Sequence, residues 1–226
     1  MLVRVAAMTA RHRLGQLFLE AARGEFPTAD GEIEVLPSPP GRSDAVVAFT
    51  AHNVIATSVG AEELAPHFDA QDVAAPMSAE FLAWLAGRLD TRAGVLDLVM
   101  VAPPPDRSDE LPKLVVRDDL VGHPRLVRSR KYRTDLRCYS DTEDRALIVV
   151  GRGLAERWEF GLEIHPEHRG RGLGRQLIRA ASSLVPGEEP MFAQVSPGNT
   201  RSVRAFLAAG YQPICSEVVL LKRGFA

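Results

Sequence analysis

Apolar residues recur at helical spacing over 10–23, where Leu14, Leu17, Phe18 and Ala21 share one face, and this predicts an amphipathic helix. Residues 32–36 read as a short strand closed by the turn formers between Pro37 and Ser43. Two apolar runs, 45–50 and 54–59, are joined by Ala51-His52-Asn53, which predicts a hairpin. Ser78 is placed to cap a helix over 78–89, with Glu80 in its first turn and Phe81, Leu82, Leu85 and Leu89 facing inward. Residues 95–102 read as a strand. The run Pro103-Pro104-Pro105-Asp106-Arg107-Ser108-Asp109-Glu110 cannot enter a helix or a sheet interior. It divides the chain into an N-terminal α/β region (1–102), a proline-rich linker (103–112) and a C-terminal region (113–226). Beyond it, strands are predicted at 128–139, 146–150 and 157–164, followed by helix, strand (191–195), helix and strand (211–221).

The chain has 226 residues, of which 46% are hydrophobic, enough for a sizeable core. Its formal charge of −2 gives no global field toward nucleic acid or membrane, so neither is expected as a partner. Cys138 and Cys215 are too far apart for a metal or redox motif, and the histidines show no metal spacing; no metal is expected. Arginines interrupt the N-terminal apolar residues, and no run reaches membrane-span length. The expectation is a cytoplasmic, soluble protein, and the sequence admits a homodimer.

The segment 158–174 changes this picture. Trp158, Phe160, Leu162 and Ile164 alternate, so one face of a strand is buried. Pro166 ends the strand. Gly170, Gly172 and Gly174 follow, and then a helix with Leu173, Leu177, Ala181 and Leu184 on one face. A strand, a glycine-rich turn and a helix N-terminus make an anion cradle, because free N–H groups converge there and the helix dipole adds positive potential. Arg169 and Arg171 add full charges. The dinucleotide fingerprint requires G-x-G-x-x-G and the Walker loop requires Gly-Lys-Ser/Thr; neither is present.

Arg169-x-x-Gly172-x-Gly174 resembles the (Q/R)-x-x-G-x-(G/A) motif of the GNAT N-acetyltransferase superfamily. Asn199-x-x-Ser202-x-x-x-Phe206-x-x-x-Gly210-Tyr211 resembles the second cofactor segment of that family. The resemblance covers about residues 125–226. It implies an α/β (α+β) fold, with a mixed β-sheet flanked by helices and splayed between its fourth and fifth strands. The N-terminal α/β half is additional, and its hairpin-helix-strand order permits it to be GNAT-like itself. Residues 113–226 would then be the acyl-CoA-binding catalytic region. The cofactor would be acetyl-CoA or another acyl-CoA. Its pantetheine would pair with backbone around Glu163 and Ile164. Its pyrophosphate would rest on the amides of Arg169, Gly170, Arg171, Gly172, Leu173 and Gly174, with Asn199 and Ser202 at the second segment.

Such a site would transfer an acyl group to the amine of a small molecule or peptide by direct attack. Glu159 and Glu163 lie on the strand face opposite Trp158 and are the candidate bases; a carboxylate half-buried beside a thioester would have a raised pKa. The tyrosine that many family members carry four residues before the Gly-aromatic pair is Phe206 here, which cannot protonate a leaving thiolate. That departure keeps open a non-catalytic acyl-CoA-binding regulatory module. Arg125, Arg128, Arg130, Lys131, Arg133 and Arg137 crowd one segment; they read either as a site for an anionic acceptor or the CoA 3′-phosphate, or as a solvated strand.

Overall fold

The computed structural model describes residues 11–41, 43–68, 72–103, 111–187 and 189–222. Most of the proline-rich break, 104–110, lies outside the described residues. In chain order the elements are α1 (Arg13–Ala22), β1 (Ile33–Leu36), β2 (Ser43–Phe49), β3 (His52–Ala56), α2 (Ala61–Leu64), α3 (Ala79–Arg88), β4 (Thr91–Ala93) and β5 (Asp97–Val101). After the break come β6 (Leu114–Val116), α4 (Pro124–Ser129), β7 (Thr134–Asp141), β8 (Ala146–Arg152), β9 (Trp158–Ile164), α5 (Leu173–Ala181), β10 (Met191–Val195), α6 (Thr200–Ala208) and β11 (Gln212–Lys222).

The expected caps act at two of these helices. The Ser78 hydroxyl accepts from the Phe81 N–H at α3, and Asn199 Oδ1 accepts from the Ser202 N–H at α6. Imidazoles cap two others: His12 Nδ1 accepts from the Leu14 N–H, and His123 Nδ1 from the Arg125 N–H. The second of these corrects the strand expected over 128–139. With Pro124 in its first turn, α4 is helical to Ser129, and the strand starts only at Thr134.

The described strands form one mixed sheet in the order β1-β3-β2-β11-β5-β10-β9-β8-β7-β6, with β4 also paired to β11. Strand β5, which precedes the proline break, lies antiparallel between β10 and β11, which follow it. Alternation along the strands sorts the two faces. Ile148, Val150, Trp158, Phe160, Met191 and Ala193 pack beneath Leu173, Leu177 and Ile178 of α5 and Phe206 of α6. On the same face, Val46, Ile55 and Leu220 meet Phe81 and Leu85 of α3. On the other face, Val47, Val99, Val101 and Phe192 meet Leu14, Leu17 and Phe18 of α1, while Leu147 and Val149 meet Leu126 of α4. Among the described residues no helix is long and apolar enough to cross a membrane, and no group of three or more His, Cys, Asp or Glu is placed to hold a metal ion.

Candidate functional site

The parallel neighbours β9 and β10 pair only at Met191 with Trp158 and Phe192 with Glu159. Beyond that the strands part, while β9 stays paired to β8 through Ile164 and β10 to β5 through Val195. In an antiparallel ladder, bonded and non-bonded positions alternate. The Gly153 N–H donates to the Arg157 carbonyl and the His165 N–H to the Arg145 carbonyl, so the odd-numbered residues of β9 are bonded to β8. The peptide groups of Leu162 and Ile164 therefore face the parting, and that of Glu163 faces β8. Of the two residues around which a pantetheine is expected to pair, Ile164 turns its peptide group to the parting and Glu163 turns its own to β8.

The glycine loop lies at the end of β9. Gly170 and Gly172 take positive φ, 80° and 82°, with open space where a Cβ would stand, and Gly174 packs against Ile164. Among the described residues no protein acceptor takes the amides of Gly170, Arg171, Gly172, Leu173 or Gly174. Helix α5 has no capping side chain and no acid in its first turn. Arg169 lies across the end of β9 and donates Nε–H to the Ile164 carbonyl at 2.8 Å. Arg171 and Arg175 are exposed around the same helix end. Asn199 and Ser202 are held to each other at the start of α6.

The opposite face of the parting carries a buried ionic network. Arg157 Nε donates to Glu159 Oε1 at 2.8 Å and its Nη2 to Glu217 Oε1 at 2.6 Å. Arg133 Nε donates to Glu159 Oε2 at 2.9 Å and its Nη2 to Gln194 Oε1 at 2.9 Å. Gln194 Nε2 donates to both Glu159 and Glu217. The side chains of Arg157, Glu159 and Glu217 are each 1% exposed. Gly153 allows this, because a Cβ there would overlap the Glu159 carboxylate. Burial opposes the charge on Glu159, but the guanidinium groups of Arg157 and Arg133 outweigh it and hold the carboxyl below its ordinary pKa. Glu163 is half-exposed and its hydrogen bond from Arg125 Nε, at 2.8 Å, also holds it low. The raised pKa expected of these two residues is thus reversed at both, by Arg157 and then Arg133 at Glu159 and by Arg125 at Glu163.

Residues 160–220 match the family model described as FR47-like protein, which takes in β9 from Phe160, the glycine loop, α5, β10, α6 and most of β11. This segment is a GNAT-superfamily region. Among solved structures, the chain is similar to a GNAT-family protein from Novosphingobium aromaticivorans, with 22% identity over 58% of this chain and 65% of that one and a TM-score of 0.43. It is similar to a GNAT-family acetyltransferase from Colwellia psychrerythraea, with 15% identity over 64% of this chain and 63% of that one and a TM-score of 0.39. The chain thus spans a little under two thirds of those two structures. A GCN5-related N-acetyltransferase from Kribbella flavida aligns over 96% of this chain and 97% of its own, at 14% identity and a TM-score of 0.42. None of these likenesses carries an argument about substrate. No curated protein matches this chain.

Within the GNAT region, Phe206 packs edge-on to Tyr211, with ring centroids 5.1 Å apart, and the Tyr211 hydroxyl is 3.0 Å from Ser182 Oγ beneath α5. Burial pushes the Tyr211 hydroxyl pKa up. One residue outside the region escaped sequence reading. Asp97, at the start of β5, sits directly opposite Glu217 on β11, and burial with the charges of Glu217 and Glu159 pushes its pKa up to about 6. Its only sequence signal is a carboxylate in register with Val99 and Val101 on an otherwise apolar strand face.

Proposed function

We propose that the protein is an acyl-CoA-dependent N-acyltransferase, in its simplest form an acetyltransferase, acting on the amine of a small molecule or peptide. The observation that carries this reading is the N-terminus of α5. Its five unclaimed amides, lack of a cap or an acid, and neighbouring Arg169, Arg171 and Arg175 all disfavour an empty helix end and favour a multiply charged anion. The edge of β9 without a strand partner, with the Leu162 peptide group and the Ile164 N–H, offers an extended pantetheine arm the hydrogen bonds of a missing strand. A pyrophosphate joined to such an arm is the chemistry of coenzyme A. Acetyl-CoA would supply an activated acyl group, and the protein's part is to align an amine with it and to handle the amine's proton. An acyl-CoA donor fits work in the cytoplasm.

The missing tyrosine at Phe206 does not forbid catalysis, since a thiol with an ordinary pKa near 8.5 leaves readily as thiolate. It does favour one second reading, a module that binds acyl-CoA without turnover. Calorimetry with acetyl-CoA, followed by thiol-release assays on a panel of primary amines, separates the two. Saturable binding with amine-dependent thiol release is expected. Binding without release on any amine would select the second reading, and no binding by the folded protein would overturn both.

A further inference from the structure

We infer that Asp97 is the residue that takes the proton from the acceptor amine. The inference rests on the acyltransferase reading above and adds to it a catalytic residue supplied from outside the GNAT region.

The argument is one of placement and availability. The Asp97 side chain shares its sheet face with Gln194, Glu159, Glu163 and Glu217, because Val99 is in register with Gln194 and Asp97 with Glu217. Along the strand direction Asp97 stands at the end of the sheet where β9 and β10 have parted. Since Val195 pairs with Leu98, Asp97 lies beside Ser196, one strand beyond the parting. At about 4.8 Å per strand, two paired strands would put its Cα roughly 10 Å from the β9 backbone, and the parting of β9 from β10 at this level sets it farther away.

The other carboxylates on this face each accept from an arginine, and Glu217, whose Oε2 has no partner among the described residues, is only 1% exposed and closed to a substrate amine. Both Glu159 oxygens and one Glu217 oxygen accept from guanidinium or amide groups, and Glu163 accepts from Arg125. A carboxylate fixed by a guanidinium is a weak base. Asp97 is half-buried and has no hydrogen bond or ion pair among the described residues. The charges facing it are Glu217 from β11, Glu159 from β9, Arg157 just before β9 and Arg128 from α4. Burial, and after it the two glutamates, make it basic, and the two arginines limit the rise. A proton acceptor poised near 6 is ionised at neutral pH and still basic enough to accept a proton from an ammonium group.

The step balances as follows. The acceptor arrives as an ammonium ion and gives one proton to the Asp97 carboxylate. The neutral nitrogen attacks the thioester carbonyl, a C–N bond forms, and the C–S bond breaks as CoA leaves as thiolate. The second nitrogen proton passes to that thiolate through water, and Asp97 returns its proton to solvent.

The test uses the full chain with acetyl-CoA and a panel of glycine, lysine, tyramine and spermidine as acceptors. Asp97→Asn keeps the shape, so acetyl-CoA affinity by calorimetry should be unchanged. Turnover should fall about 100-fold, and the acidic limb of the pH–rate profile, near pH 6 in the native protein, should vanish. Arg128→Gln, which removes a charge that lowers the Asp97 pKa, should move that limb to higher pH without removing it. Full turnover with the acidic limb intact in Asp97→Asn would overturn the inference and leave the acyltransferase reading standing. Loss of the limb in Glu163→Gln but not in Asp97→Asn would do the same and assign the base to Glu163. Acetyl-CoA binding without turnover on any of these amines would overturn the enzyme reading and Asp97's part with it.

Discussion

Glu159 lies between two guanidinium groups in a space from which water is excluded. Removing one partner of such a buried set leaves the others charged and unmatched, which is far more damaging than the net stability of the set suggests. Glu159→Gln should destabilise the fold by about 3–5 kcal/mol in denaturant titration at pH 7, because Arg157 then keeps a single carboxylate partner. The pH dependence has a definite sign. The native Glu159 carboxyl is held below its ordinary value, so its stabilisation is present above the unfolded pKa and is lost as pH falls through the native one. The acid side of the native stability curve should therefore be steeper than that of the Gln variant. A Gln variant as stable as the native protein would contradict the role assigned to the network. The alternation of Trp158, Phe160, Leu162 and Ile164 already made the face occupied by Glu159 and Glu163 legible. What lies opposite was not: Arg133, Gln194 and Glu217 come from distant chain positions, and only the sheet order brings them to the same spot.

At the scale of elements, the loop and α5 act as a unit. A helix of this kind, begun by Gly172 at φ 82° and bordered by arginines, is built against its own dipole until an anion arrives. Gly172→Glu should therefore raise the acetyl-CoA Kd about 30-fold beyond the value for Gly172→Ala, a difference of about 2 kcal/mol in calorimetry. Both substitutions carry the strain of positive φ, so the difference between them isolates the added negative charge. Equal affinities in the two variants would remove the pyrophosphate from this loop. This element was legible because strand, glycines and helix are contiguous in sequence and each has a local signature. Helix α4 was not, because its cap is His123, a residue outside the usual N-cap set, and the six-residue helix is too short to show a period. Missing it hid the origin of Arg125, which reaches Glu163 from the helix rather than from a neighbouring strand.

For the molecule as a whole, the position of β5 governs how the two sides of the proline break depend on each other. Strands β10 and β11 do not touch in the sheet order; both pair with β5, and β11 also pairs with β2. A fragment of residues 113–226 would leave both strands without those partners and bare the surface formed by Phe192, Ile214 and Cys215. It should bind a hydrophobic dye and melt without a cooperative transition. A sharp melt with acetyl-CoA bound would show instead that the region stands by itself. The break at Pro103 was plain in the sequence. The crossing of it was not, since strand pairing at a separation of about a hundred residues leaves no local trace. That crossing also sets an order of events during synthesis. When β5 leaves the ribosome, neither of its partners has been translated, and its apolar residues Val99, Met100 and Val101 must wait until β10 and β11 emerge. Throughout that interval the nascent chain carries an open strand edge of the kind that chaperones shield and aggregates recruit, so premature termination before β11 would yield a species prone to aggregate rather than a working half.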